Sequence, residues 1–111
     1  MTCKAETRDG VAVVALEGEV DLQTSPEVRK TLLAHLAEGA PVVVDMSAVT
    51  YIDSSGVASL VEAYQTARKS GRFFALADVG GAAMRVLQLA RLDRVFDIRA
   101  GVDEAVAAAR G

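Results

Sequence analysis

Four consecutive residues, Asp53-Ser54-Ser55-Gly56, hold the polar groups best placed to do chemistry in this chain. They follow Tyr51-Ile52 and precede Val57, Leu60, Val61, Tyr64 and Ala67. Those apolar residues fall at i, i+3, i+4, i+7 and i+10, one stripe along a helix. The polar cluster therefore sits at a helix N-terminus, where unpaired backbone N–H groups and the helix dipole favour negative charge. A serine hydroxyl there can carry a phosphate or be covered by a binding partner. The plain alternative is an N-cap, since a capping serine stabilises a helix by about 1 kcal/mol and needs no other reason to be present. Ser54 and Ser55 both qualify as acceptor or as cap. Asp53 can cap the helix, hold loop N–H groups, or tune the hydroxyl and face a partner. Gly56 stands in the first helical turn, where glycine costs about 1 kcal/mol, so its presence implies a second backbone passing close by.

Other candidate groups are sparse. Asp21 follows the second apolar strand, and in parallel sheets the loops at the carboxyl ends of strands form the binding edge. Its alternative is a solvated turn acid. His35 lies beside the Val28–Leu32–Leu36 stripe and reads as a surface histidine, and the lone Cys3 reads as inert. Covalent catalysis needs a base near its nucleophile, and the chain has one histidine. Ser54 lacks the glycine two residues upstream that a nucleophile elbow uses. One His and one Cys cannot build a zinc site from nitrogen and sulfur ligands, although the carboxylates leave magnesium open. No GxxxxGK phosphate cradle is present, and Gly80-Gly81 lacks dinucleotide-loop spacing and reads as a turn. The expectation is a binding module rather than an enzyme, with no catalytic residue, metal or cofactor.

The elements that must position the cluster can be read along the chain. Lys4 to Arg8 is an edge strand with charged outward residues, joined by Asp9-Gly10 to a second strand from Val11 to Leu16. Gly18 to Asp21 reads as a loop. Thr24 with Glu27 forms a candidate capping box for the first helix, and Ser25 before Pro26 is the competing N-cap. Gly39 ends that helix, with Pro41 beyond it. Val42-Val43-Val44 reads as a short central strand covered on both faces. The helix after Ser54 closes at Lys69-Ser70-Gly71. Phe73 to Ala77 is a fourth strand, Ala82 to Leu92 a third helix, Val95 to Ile98 a fifth strand, and Val102 to Ala109 a last amphipathic helix. The third helix is apolar all round; we expect Leu89 and Leu92 to be buried, the alternative being that they feed an exposed partner patch. The order ββαβαβαβα predicts an α/β fold: a mixed sheet of about five strands, antiparallel at the N-terminal hairpin and largely parallel after it, with about four helices.

Length and composition set the outer bounds. A chain of 111 residues is sized for one domain, here spanning 1–111. Apolar residues make up 51% and charged residues 24%, which suits an ordered core. A net charge of −3 with basic residues scattered along the sequence gives no nucleic-acid footprint. No run approaches the ~18 apolar residues that span a bilayer, and the N-terminus has no apolar signal segment. One cysteine forms no intramolecular disulfide. These features lead us to expect a cytoplasmic protein rather than a domain trailing membrane helices.

The organising stretch also carries a resemblance. Asp45-Met46-Ser47, Val49 and Tyr51-Ile52-Asp53-Ser54-Ser55-Gly56 resemble the signature of STAS domains, shared by sulfate transporters and anti-sigma factor antagonists. Gly18-Glu19-Val20-Asp21-Leu22 and Leu89-Ala90-Arg91-Leu92 extend the likeness over essentially the whole chain. Single-domain soluble members are bacterial anti-sigma factor antagonists. The resemblance implies that Ser54 is phosphorylated by a partner anti-sigma factor serine kinase and reset by a serine phosphatase. It also implies that Asp21, Asp53, Ser54, Ser55 and Gly56 form the partner surface. Two other roles stay open: a constitutive STAS subunit of an ABC-type lipid transport complex, and a scaffold that senses a small molecule beside the serine loop.

Overall fold

The structure, a computed structural model, describes residues 2–111. Its strands are β1 (Thr2–Arg8), β2 (Val11–Val20), β3 (Val42–Ile52), β4 (Phe74–Ala77) and β5 (Asp97–Arg99). Its helices are α1 (Ser25–Ala37), α2 (Ser54–Ser70), α3 (Gly81–Leu89) and α4 (Val102–Arg110), with a short 3₁₀ turn at Leu92–Arg94. The five strands lie side by side in chain order, β1 antiparallel to β2 and every later pair parallel. Asp9 and Gly10 turn the hairpin with φ of 54° and 81°, the two positive values that a type I′ turn requires.

Strand alternation divides the core. Ala12, Val14, Leu16, Val42, Val44, Met46 and Leu76 face one way and meet the apolar stripes of α1, α2 and α3. Val11, Val13 and Val43 face the other way and are covered by Ala105 and Val106 of α4. Val42 to Val44 are fully buried because helices lie over both faces at that point. The T-shaped contact of Tyr64 with Phe96, centroids 5.6 Å apart, ties α2 to the start of β5.

Several boundaries differ from the sequence expectation, each for a local reason. Gly18 to Val20 belongs to β2 rather than to a loop. The pairing of β2 with β3 shifts register between Ala15 and Glu17 and again between Gly18 and Glu19, and these irregularities erase the alternation that marks a strand. The same pairing carries β3 on to Ile52, well beyond Val44. No capping box forms at α1: Thr24 occupies the N-cap position without a side-chain cap bond, and its hydroxyl serves the preceding loop instead. Helix α3 stops at Leu89 because Arg91 turns left-handed at φ 60°. Leu89 is consequently not buried; it is 81% exposed, whereas Leu92 is half-buried against the core. Strand β5 starts at Asp97, since Val95 and Phe96 N–H groups donate to the Leu92 carbonyl and close the 3₁₀ turn.

Candidate functional site

The serine cluster stands where β3 ends, and the end of β2 lies directly beside it. Val20 pairs with Ile52, and the Asp53 N–H donates to the Val20 carbonyl at 3.1 Å. The loops that begin at Asp21 and Asp53 therefore leave the sheet next to each other. Gly56 permits this approach. A Cβ built on Gly56 would lie 2.7 Å from Ile52 Cγ1 and 2.8 Å from both Val20 Cγ1 and the Val20 carbonyl oxygen. The second backbone implied by the sequence is that of Val20.

Asp53, not Ser54, is the N-cap of α2. Its extended backbone directs the carboxylate at the helix mouth, where Oδ1 accepts the N–H groups of Ser55 at 2.9 Å and Gly56 at 3.1 Å. Ser54 is the first helical residue, exposed, and its hydroxyl is not used in capping. Ser55 is half-buried, and its carbonyl lies 3.2 Å from the Ser59 hydroxyl. That hydroxyl reaches equally to the Ser25 carbonyl, so one buried side chain links the starts of α1 and α2.

Asp21 organises the neighbouring loop in the same way. Its carboxylate accepts N–H bonds from Gln23 at 3.0 Å and Thr24 at 3.1 Å, and its own N–H donates to the Thr24 hydroxyl at 2.9 Å. Farther along the helices, Arg29 and Glu62 join α1 to α2 through two contacts of 2.7 and 2.6 Å. The hydrogen bond from Arg29 holds the Glu62 carboxyl below its usual range, and Glu62 raises the guanidinium.

The structure thus brings Asp21, Asp53, Ser54 and Ser55 to one edge of the sheet. Gly56 lies beneath them, buried, and shapes the edge from inside. His35 is at the far end of α1, 3.6 Å from Glu38. Cys3 is half-buried on β1, where desolvation pushes its thiol up, making it a poorer nucleophile at neutral pH. Two residues of this edge escape a reading of composition and spacing. Leu22 is 72% exposed and Tyr51 51% exposed, one beside each aspartate. Only the exposure of an apolar side chain marks them, and exposure is a property of the fold. Among the described residues, Glu17, Glu19, Asp21 and Asp53 take part in no ion pair. The edge is therefore acidic, with two exposed apolar side chains.

A model of the STAS domain matches residues 2–105. The chain belongs to the STAS domain family. A crystal structure of an anti-sigma factor antagonist from Mycobacterium paratuberculosis superposes with a TM-score of 0.90 at 33% identity, covering 99% of this chain and 94% of that one. The anti-sigma-F factor antagonist RsfB of Mycobacterium tuberculosis is 28% identical over 112 residues, which span all of this chain and 91% of RsfB. The anti-sigma-B factor antagonist of Bacillus subtilis is 26% identical over 87 residues, 78% of this chain and 80% of that protein. Five strands with one antiparallel pair, and four helices around them, are the STAS fold. Among the described residues, no helix is long and apolar enough to cross a membrane.

Proposed function

We propose that this chain, acting as a single cytoplasmic STAS domain, is a phosphorylation-switched anti-sigma factor antagonist. In the unphosphorylated state, the edge formed by Asp21, Asp53, Ser54 and Ser55, underlain by Gly56, docks onto an anti-sigma factor that is also a serine kinase. Docking frees a sigma factor. The kinase transfers the γ-phosphoryl group of ATP to the Ser54 hydroxyl, which releases the complex, and a serine phosphatase removes the phosphate. The protein is the substrate and binding partner of these enzymes and performs no catalysis itself.

One observation carries the reading: the cap is Asp53, so the Ser54 hydroxyl is exposed and uncommitted at the helix mouth. The amides of Ser55 and Gly56 are already taken by Asp53, so a phosphate on Ser54 does not displace them by folding inward. It stays in the docking plane. A phosphoryl group adds about −1.5 to −2 charges beside two carboxylates. At a helix N-terminus the fold tolerates it, with an effect of about 0.3–1 kcal/mol. In a dry contact the same group adds bulk and like-charge repulsion worth several kcal/mol. A reversal from 1:99 to 99:1 needs about 5.5 kcal/mol, so binding is switched while the fold is spared.

The test begins with the tryptic fragment Thr31–Arg68, which contains Ser54. Isolated from the native host, a fraction of it should carry about 80 Da of added mass, the phosphoryl group, and Ser54→Ala should abolish that species. Ser54→Ala should bind the kinase permanently, and Ser54→Asp should keep the melting temperature but bind at least about tenfold more weakly. Equal affinity of the two variants would sink the switch.

A further inference from the structure

Residues 68–94 carry six of the twelve basic side chains, Arg68, Lys69, Arg72, Arg85, Arg91 and Arg94, but two of the fifteen acidic ones. Spread along the sequence, they resemble scatter. The fold gathers them. Arg68 and Lys69 occupy the last turn of α2, Arg72 lies just ahead of β4, and Arg91 and Arg94 lie in the turn that leads to β5. All five stand where the parallel strands begin, at the opposite end of the sheet from Asp21 and Asp53. They are exposed, and among the described residues none takes part in an ion pair.

The surface between them is concave. Tyr64, Gln65, Arg68, Lys69 and Val95 line an open trough of about 650 Å³ between α2 and the 3₁₀ turn. A smaller polar hollow of about 300 Å³, lined by Gln88, Arg91, Asp93 and Arg94, adjoins the same turn. Val95 is 45% exposed in the trough, an apolar side chain between cations. Complementing the dipole of α2 explains Arg68 and Lys69 but not Arg72 or Arg94. Arg91 holds the left-handed φ of 60° that ends α3, and its exposed side chain takes part in no ion pair among the described residues.

We infer that this trough is a second docking site, which takes an acidic peptide segment of a partner protein. Carboxylates of the segment meet Arg68 and Lys69 in the trough and Arg94 in the adjoining hollow, and one apolar side chain rests on Val95 and the Tyr64 ring. A concave floor suits a chain segment better than a flat lipid surface. The apolar patch in that floor suits a side chain better than a phosphodiester backbone. The trough and the serine edge lie at opposite ends of the sheet, so both can be occupied at once. The inference stands whether or not Ser54 is a switch.

The test is an amide chemical-shift titration of the full chain with a short synthetic peptide of glutamate, aspartate and leucine. Shifts should centre on Arg68, Lys69, Arg94 and Val95 and shrink at high salt. Arg68→Glu with Arg94→Glu should weaken binding about tenfold or more. Arg68→Gln with Arg94→Gln, which keeps the side-chain bulk, should give a smaller loss and serves if the charge-reversed protein fails to fold. Serine in place of the peptide leucines should also weaken binding, and Ser54→Asp should leave it unchanged. Shifts at the Asp21–Asp53 edge instead, or full affinity in both double variants, would overturn the proposal. So would tighter binding to phosphatidylglycerol vesicles or to a single-stranded oligonucleotide than to the peptide.

Discussion

Asp53 serves two ends, and substitution separates them. As the cap, it accepts two amide bonds at the mouth of α2. As a charge, it stands beside the exposed Ser54. Asn caps a helix about as well as Asp, whereas Ala costs about 0.5–2 kcal/mol at an N-cap. Asp53→Asn should therefore melt close to the parent protein, and Asp53→Ala should melt several degrees lower. If the charge helps to orient the partner, both should weaken docking; if only the cap matters, Asp53→Asn should bind like the parent. Thermal melts paired with binding isotherms decide between these. The serine cluster was legible because a polar run followed by a 3.6-residue apolar stripe fixes a helix start. Which residue caps it was not, since that depends on the extended backbone of Asp53. Leu22 and Tyr51 were illegible for another reason: nothing in an isolated apolar residue says whether the fold will cover it.

At the level of elements, Gly56 holds the start of α2 against the end of β2. A methyl group there has to displace the Val20 carbonyl as well as two side chains, and backbone yields less readily than side-chain tips. Gly56→Ala should cost about 1–3 kcal/mol as an overpacked contact. In a domain of this size that lowers the melting temperature by about 4–8 °C for each kcal/mol. An unchanged melting temperature would show that α2 can slide away from Val20. Strand identities were legible wherever β-branched residues cluster, as at Val42 to Val44. Strand lengths were not. β2 and β3 run past their obvious apolar runs because each supplies the other's backbone partners through two register shifts. The end of α3 was not legible, because an all-round apolar helix suggests burial, whereas a left-handed Arg91 cuts the helix short and leaves Leu89 in solvent.

Over the whole molecule, the sheet has one thick face under three helices and one thinner face under α4 alone. The thick face should carry most of the stability. Leu76→Ala, fully buried beneath the helices, should cost about 2–5 kcal/mol, a large part of the 5–15 kcal/mol usual for a domain. Val106→Ala on the α4 side removes two methyl groups rather than three carbons and should cost less; denaturant midpoints at constant slope give the comparison. A cost for Val106→Ala equal to that for Leu76→Ala would refute the ranking. The α/β class and the antiparallel start were legible from the order of elements. The division into an acidic end and a basic end was not, because cations far apart in the sequence converge only when α2 and the 3₁₀ turn meet. One consequence follows from the strand order. Every strand pairs with the strand made just before it, so a chain leaving the ribosome always finds its next neighbour already in place. Growth of the sheet and growth of the polypeptide run in the same direction, and no late segment has to thread between two earlier ones.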